Sequence, residues 1–381
     1  MSRPTPAWIA AAPIRIGTAA IAGWSAYLTG LIRRGAGPCT LVEDATRFTR
    51  VLTSTSPPRW ATDWPVVAEW PLGRLRDCGV PEVHGDEAHG DGVHRDEIPT
   101  LLLPPHSGTH SCIVDHSPGR SQVEALRAGG LTRLHCLEWA PATPETNHCS
   151  IDEHLAVVDA AIRRLGGQVH LIGDSQGGWL GAIHAALHPE TVRTLTVAGA
   201  PIDFHVDQPA LTALADLPAG AGASALDVWY GTARALGLPA TDPVGELERA
   251  MTLLGRLDDP EAVSRWEAEH RWFSWRQEIP VAFREWIMRH LFVGNDLVAG
   301  RLVAEGRRVD LSAVHCPVHL IAGRHDPVAT PRQVAALAAH VATPRSAITT
   351  TVVDDGHIGL FVGRRALAQV WTPHARRLLD S

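Results

Sequence analysis

The stretch QVHLIGDSQGG, residues 168–178, reads as a buried strand that stops at a serine and turns at once into a helix. Val169, Leu171 and Ile172 are apolar with β-branched members, and GWLGAIHAALH at 178–188 carries apolar residues at helical spacing. Between them, Gly173-Asp174-Ser175-Gln176-Gly177 fits G-x-S-x-G. A strand that turns this sharply into a helix strains its central residue, and only small neighbours two before and two after it let the backbone pass. The corner lifts the Ser175 hydroxyl clear of the main chain. It also aims the Gln176 N–H at the place where an oxyanion would form, beside the positive end of the helix. Ser175 is therefore the candidate nucleophile. The short pattern alone arises often by chance; its position between a β run and an amphipathic helix gives it weight.

Outward from this corner the chain alternates. Strand patterns fall at 101–105, 133–139, 192–198, 318–322 and 348–353, with helical patterns near 121–128, 151–165 and 331–340 and a closing helix to 379. Repeated βα units specify an α/β protein with a mostly parallel sheet covered by helices on both faces. Residues 205–309 break the rhythm with a helical, aromatic-rich stretch. Inserted between two sheet strands, it reads as a helical lid over the strand ends where the serine sits. Trp272, Phe273 and Trp275 in that stretch, with Trp179 beside the serine, are candidate substrate-binding residues. Aromatic residues that merely form the lid's own core are the commoner case.

Residues 1–82 read as an N-terminal helical extension, with 83–204 and 310–381 forming the core on either side of the lid. In 41–82 the helical pattern carries Trp60, Trp64 and Trp70 and is broken by Pro57, Pro58, Pro65 and Pro71. The uncharged run 16–32 is slightly short for a membrane span and contains Gly17, Gly23 and Gly30. A surface helix that docks on the body, a membrane or a hydrophobic granule ranks above a transmembrane one. The acidic, histidine-rich segment 83–98 places His84, His89 and His94 five apart, a spacing that suits neither a helix face nor a zinc site. A solvated loop is the expectation there.

Composition excludes several functions. A net charge of -7 argues against nucleic acid as a partner, because neutralising phosphates requires a basic face. All 34 basic residues are arginine, which removes Schiff-base lysine chemistry and the Walker lysine. The six cysteines include no C-x-x-C, so buried free thiols are expected, with no metal site and no cofactor. No signal sequence opens the chain, and a cytoplasmic location is expected. Nothing in the composition opposes a homodimer.

A serine hydroxyl needs a base within hydrogen-bond reach and an acid that fixes the base's tautomer. In α/β-hydrolases these follow in the order serine, acid, histidine, each after a strand. Ser175, Asp326 and His357 follow three strand patterns in that order. Asp203 also ends a strand and rivals Asp326 as the acid; Asp354 and Asp355 read as solvated neighbours of the histidine. The second oxyanion donor is expected from the loop after strand 101–105, as the backbone N–H of His106 or Ser107, paired with that of Gln176. The side chains of His106 and His110 could assist there, although an exposed loop histidine is the commoner case.

The segments LLLPPHSGTHS, GDSQGGW, AGAPIDFH, GRHDP and DGHIGLFVGRRAL resemble those of the polyhydroxyalkanoate synthase and intracellular polyhydroxyalkanoate depolymerase branch of the α/β-hydrolases. The resemblance runs from about residue 99 to the C-terminus. It implies an α/β-hydrolase fold and ester chemistry on hydroxyacyl chains, with nucleophile, acid and base carried onto Ser175, Asp326 and His357. The synthases of that branch, and many of its short-chain depolymerases, have cysteine where Ser175 stands. A thiolate favours acyl transfer between thioesters and growing chains, whereas serine with a histidine base is the usual arrangement for hydrolysing oxoesters. The expectation is a serine esterase acting on an apolar, hydroxyacyl or polyester substrate. An acyltransferase or thioesterase-cyclase is the alternative, and a non-catalytic granule- or membrane-binding protein ranks third.

Overall fold

The computed structural model describes residues 7–54, 56–79, 97–207 and 243–381. The chain divides into two compact units, Met1–Arg59 with Arg234–Trp275, and Trp60–Ala233 with Arg276–Ser381.

The larger unit is built on an eight-stranded sheet. Its strands are β1 (Val66–Trp70), β2 (Gly73–Asp77), β3 (Thr100–Leu103), β4 (Leu134–Trp139), β5 (Val169–Asp174), β6 (Val192–Ala198), β7 (Val318–Gly323) and β8 (Ile348–Val353). They lie side by side in the order β1-β2-β4-β3-β5-β6-β7-β8. From β4 to β8 all neighbours are parallel, while β2 runs antiparallel to both β1 and β4. This is the mostly parallel, helix-flanked sheet that the repeated βα units predict. The six residues of β5 and of β7 are all buried, as expected for central strands covered on both faces. The helices around them follow the expected rhythm: α3 (Gln122–Ala128), α4 (Ile151–Arg164) and α5 (Gln176–Leu187). Leu155, Val158, Ile162, Leu171, Ile183 and Leu195 meet in one continuous core.

The hairpin β1–β2 corrects the helical reading of 41–82. Val66 and Val67 are β-branched, Pro71 is poor in a helix interior, and Trp70 pairs directly with Gly73 across the turn. Leu75 is fully buried and pairs with Leu137 of β4, so this stretch joins the main sheet.

The smaller unit comprises α1 (Ala7–Arg34), α2 (Pro38–Leu52), α6 (Pro243–Leu254) and α7 (Pro260–Ser274). Tyr27, Val51, Leu253, Leu254, Leu257 and Val263 form its core. A side chain at Gly23 would meet the Met251 backbone, so helices α1 and α6 approach closely there. Arg33 pairs with Asp258 at 3.2 Å and Arg34 with Asp44 at 3.2 Å. On α1, Ile21, Trp24, Leu28 and Ile32 recur at helical spacing and are exposed at 71%, 52%, 52% and 82%. Among the described residues no helix is long and apolar enough to cross a membrane.

The segment expected as a lid, 205–309, divides. Residues 208–242 lie outside the described residues, α6 and α7 group with the N-terminal helices, and the stretch from Arg276 groups with the sheet. The reason is in the packing: Leu253 and Leu254 share a core with Tyr27, whereas Phe283, Ile287, Leu291 and Phe292 enter the core of the larger unit. The histidine-rich segment falls almost wholly in 80–96, outside the described residues.

Candidate active site

Ser175 stands between β5 and α5 with φ 52° and ψ −118°, a positive φ that non-glycine residues rarely adopt. Its backbone N–H donates to the Ala198 carbonyl at 2.8 Å and its carbonyl accepts from the Gly178 N–H at 2.9 Å, which fix the corner from both sides. A Cβ at Gly173 would overlap the Gly177 carbonyl, and one at Gly177 would overlap the Leu103 carbonyl at the end of β3. Those two close approaches are the physical reason for the glycines of the motif.

The loop after β8 brings His357 to the serine. Its Nδ1–H donates to Asp326 Oδ2 at 2.8 Å, and because a carboxylate can only accept, Nε2 is left as the acceptor. The Ser175 hydroxyl lies 3.1 Å from that Nε2 and donates to it. The imidazole meets the Phe361 ring edge-on at 5.6 Å. Asp326, 5% exposed, is held from its other oxygen, which accepts the backbone N–H groups of Val328 at 2.7 Å and Ala329 at 2.9 Å. Three residues separated by 182 and 31 positions therefore meet in one hydrogen-bonded line.

The rival acids are occupied elsewhere. Asp203 accepts from Asn295 Nδ2 at 2.8 Å and from the backbone N–H of His205 at 2.9 Å. Asp354 is exposed and pairs with His325 at 2.9 Å, and Asp355 accepts from the Gly356 N–H at 2.9 Å.

The loop after β3 gives a different answer for its histidines. The His106 ring is 2% exposed and lies flat on Trp139, with ring centroids 5.4 Å apart and planes 4° apart. His154 Nδ1 donates to the Ser150 carbonyl at 2.6 Å, so its Nε2 must accept, and His106 Nδ1 donates to it at 3.1 Å. Burial, with the neighbouring His154, pushes His106 well below the usual histidine range, and burial brings His154 down to about 4. The His106 side chain is thus a neutral core group and not an assisting donor. His110 is also engaged: its Nδ1 accepts from the Cys112 N–H at 3.1 Å and its Nε2 lies 3.5 Å from Glu138.

Trp139 holds this loop, and nothing in the sequence marked it. Its indole N–H donates to the Pro104 carbonyl at 2.9 Å, its backbone N–H donates to Ser111 Oγ at 3.0 Å, and its ring carries His106. Gln277 ties the far side through its N–H to the Gly108 carbonyl at 2.9 Å and its Nε2 to the Trp139 carbonyl at 2.9 Å. Next to it, burial would raise the Glu138 carboxyl, yet hydrogen bonds from His110 and Arg76 and the Arg76 charge hold it at about 2. The only signal available was a tryptophan and an acid at a strand end.

Of the candidate substrate-binding residues, Trp179 is 2% exposed and packs 6.1 Å from Phe283 and 6.2 Å from Trp286, in the core under α5. It is a packing residue. Trp272, Phe273 and Trp275 belong to the smaller unit, where Trp272 is buried and meets Phe273 edge-on at 5.1 Å. Among the described residues no group of histidines, cysteines or acids could hold a metal ion.

A family model described as a protein of unknown function, DUF3141, matches residues 89–369. The chain belongs to the DUF3141 family. Its relatives include the poly(3-hydroxyalkanoate) polymerase subunit PhaC of Allochromatium vinosum, 26% identical over 283 residues, covering 70% of this chain and 77% of that protein. The corresponding PhaC of Haloferax mediterranei is 23% identical over 269 residues, and the match spans 68% of this DUF3141 chain and 54% of the relative. Among solved structures, the enol-lactonase from Burkholderia xenovorans LB400 aligns with a TM-score of 0.47 at 16% identity, covering 81% of this chain and 97% of that one. The expected relationship to polyhydroxyalkanoate polymerases holds.

Proposed function

We propose that the protein is a serine esterase that forms an acyl-enzyme on Ser175 and hydrolyses esters of hydroxyacyl or other apolar acids. The observation that carries this reading is the line Ser175–His357–Asp326, with 3.1 Å and 2.8 Å between its members. In the first half-reaction Ser175 Oγ bonds to the ester carbonyl carbon as its proton passes to His357 Nε2. The C–O bond to the leaving alcohol then breaks, and His357 returns the proton to that alcohol. In the second half-reaction water bonds to the acyl carbon while His357 takes one of its protons. The bond to Oγ breaks, Oγ regains a proton, and the acid leaves. Asp326 keeps Nδ1 protonated and stabilises the imidazolium that forms twice in the cycle. The backbone N–H of Gln176, with that of His106 or Ser107, supplies the oxyanion donors.

The relatives named as polymerase subunits favour a second reading, in which the same acyl-enzyme passes its acyl group to an alcohol or thiol. Release of free acid from p-nitrophenyl esters and hydroxyacyl oligomers, measured with and without an acceptor alcohol, separates the two. Water-limited release unaffected by acceptor supports the hydrolase; acid release that falls as acylated acceptor accumulates supports transfer.

The exposed row Ile21, Trp24, Leu28 and Ile32 is the part of the chain we propose for contact with an apolar polyester surface. A helix that presents apolar residues on one face and carries no acid, ending in Arg33 and Arg34, suits such a surface better than water.

A further inference from the structure

Asp174 ends β5 one residue before the serine and is fully buried, as is Gln122 at the start of α3. The Gln122 Nε2–H donates to Asp174 Oδ1 at 3.2 Å. Each side chain carries one further buried oxygen, Oδ2 on the acid and Oε1 on the amide, and neither has a hydrogen-bond partner among the described residues. If the acid were ionised, both would be acceptors and both would stay buried and unsatisfied, which folded proteins avoid. A single proton on Oδ2 changes this, because an acid O–H can donate to the amide oxygen while the amide N–H donates to the acid.

We propose that Asp174 is an uncharged carboxylic acid in the resting protein, paired reciprocally with the Gln122 amide, and that it serves as a positioning residue that keeps the Ser175 corner free of negative charge. The contrast with a second buried acid supports this. Asp326 receives two backbone N–H groups on one oxygen and an imidazole N–H on the other, donors suited to a carboxylate. Asp174 receives one amide, and among the described residues no cation lies within ion-pair distance of it. Burial pushes its carboxyl well above the usual range, with the Gln122 bond pulling the other way. The titratable groups around it are the Cys136 thiol on β4, itself raised by burial and by neighbouring acids, and the Ser175–His357–Asp326 line that begins at the next residue. From β6 it is paired with Ala198.

The consequence for catalysis rests on the esterase reading: a carboxylate here would oppose the charge that grows on the ester oxygen during attack, and a neutral acid does not. Infrared difference spectroscopy of the full chain at neutral pH, with and without Asp174→Asn, tests the protonation state directly. The expected result is an un-ionised carboxyl stretch that disappears in the variant. Labelling with [13C]aspartate shifts the same band in the unaltered protein and assigns it to an aspartic acid side chain, so the absence of any such band overturns the proposal even where the variant fails to fold. In the unaltered protein kcat/KM is expected to fall at alkaline pH as Asp174 loses its proton; Asp174→Asn preserves the reciprocal pairing, and is expected to keep ester turnover within a few-fold and to lack that fall. No aspartic acid band at neutral pH, or a folded Asp174→Asn protein with its alkaline limb unchanged, overturns the proposal. Because the band is read whether or not esters are turned over, its presence in unaltered protein that hydrolyses no ester would reject the esterase reading alone.

Discussion

Ser175 can keep its strained backbone because Gly173 and Gly177, two residues before and after it, carry no side chain into the tight approaches there. Gly177→Ala would drive a methyl group into the Leu103 carbonyl, and is expected to destabilise the protein by about 1–3 kcal/mol in urea titration while lowering reaction at the serine. Asp326→Asn is more selective. Its amide would present N–H to an imidazole N–H, forcing the wrong tautomer, so kcat should fall by roughly ten-thousand-fold with the fold intact by circular dichroism. A loss of only a few-fold would remove Asp326 from the role given to it. The three members of this line were legible in the sequence because each follows a strand pattern, and strand ends in a parallel sheet gather at one edge. The state of His106 was not legible. Whether a loop histidine faces water or lies against Trp139 is decided by residues 33 positions away and by the tautomer of His154, neither of which local pattern encodes.

At the scale of elements, the loop between β3 and α3 depends on a strand beside it. Trp139→Phe keeps the ring under His106 but deletes the indole N–H to Pro104, and should slow ester turnover without a comparable loss of stability. Equal stability and equal turnover would show that the loop holds its place without that bond. Helix α1 makes a separate prediction: Trp24→Glu combined with Ile32→Glu is expected to abolish sedimentation with polyester particles and leave hydrolysis of a soluble ester unchanged. Unaltered sedimentation would set aside the surface proposed for that face. The hairpin β1–β2 was missed for a physical reason. Its edge strand β1 has a half-exposed pattern that also fits a helix, and only the antiparallel pairing of β1 with β2, and of β2 with β4, makes it a strand.

Across the whole molecule, buried neutral histidines make stability depend on pH. His170, His319 and His374 hydrogen-bond to Thr194, Thr349 and Thr196 on the sheet, and His184 to Thr191. Burial pushes His170 and His319 to about 4 and His184 to about 3, and holds His374 well below the ordinary value. The folded pKa lies below that of the unfolded chain, near 6.5, so the unfolded state binds more protons between the two. The stability these groups retain above pH 6.5 is therefore lost as the pH falls toward 4, by up to about 1.4 kcal/mol per unit for each. Urea midpoints should decline steadily from pH 7 to pH 5; midpoints that stay level would mean these histidines are solvated. The sheet itself was legible because its central strands are nearly continuous apolar runs. The division into two units was not, since residues 243–275 join helices more than 200 positions upstream through packing that sequence periodicity cannot assign.

The most direct test is to treat the intact protein with a fluorophosphonate and locate the adduct by mass spectrometry. The account predicts a single covalent adduct on Ser175, absent in Ser175→Ala and greatly slowed in His357→Ala. A folded protein that remains unlabelled, or one labelled at a different serine, would contradict it.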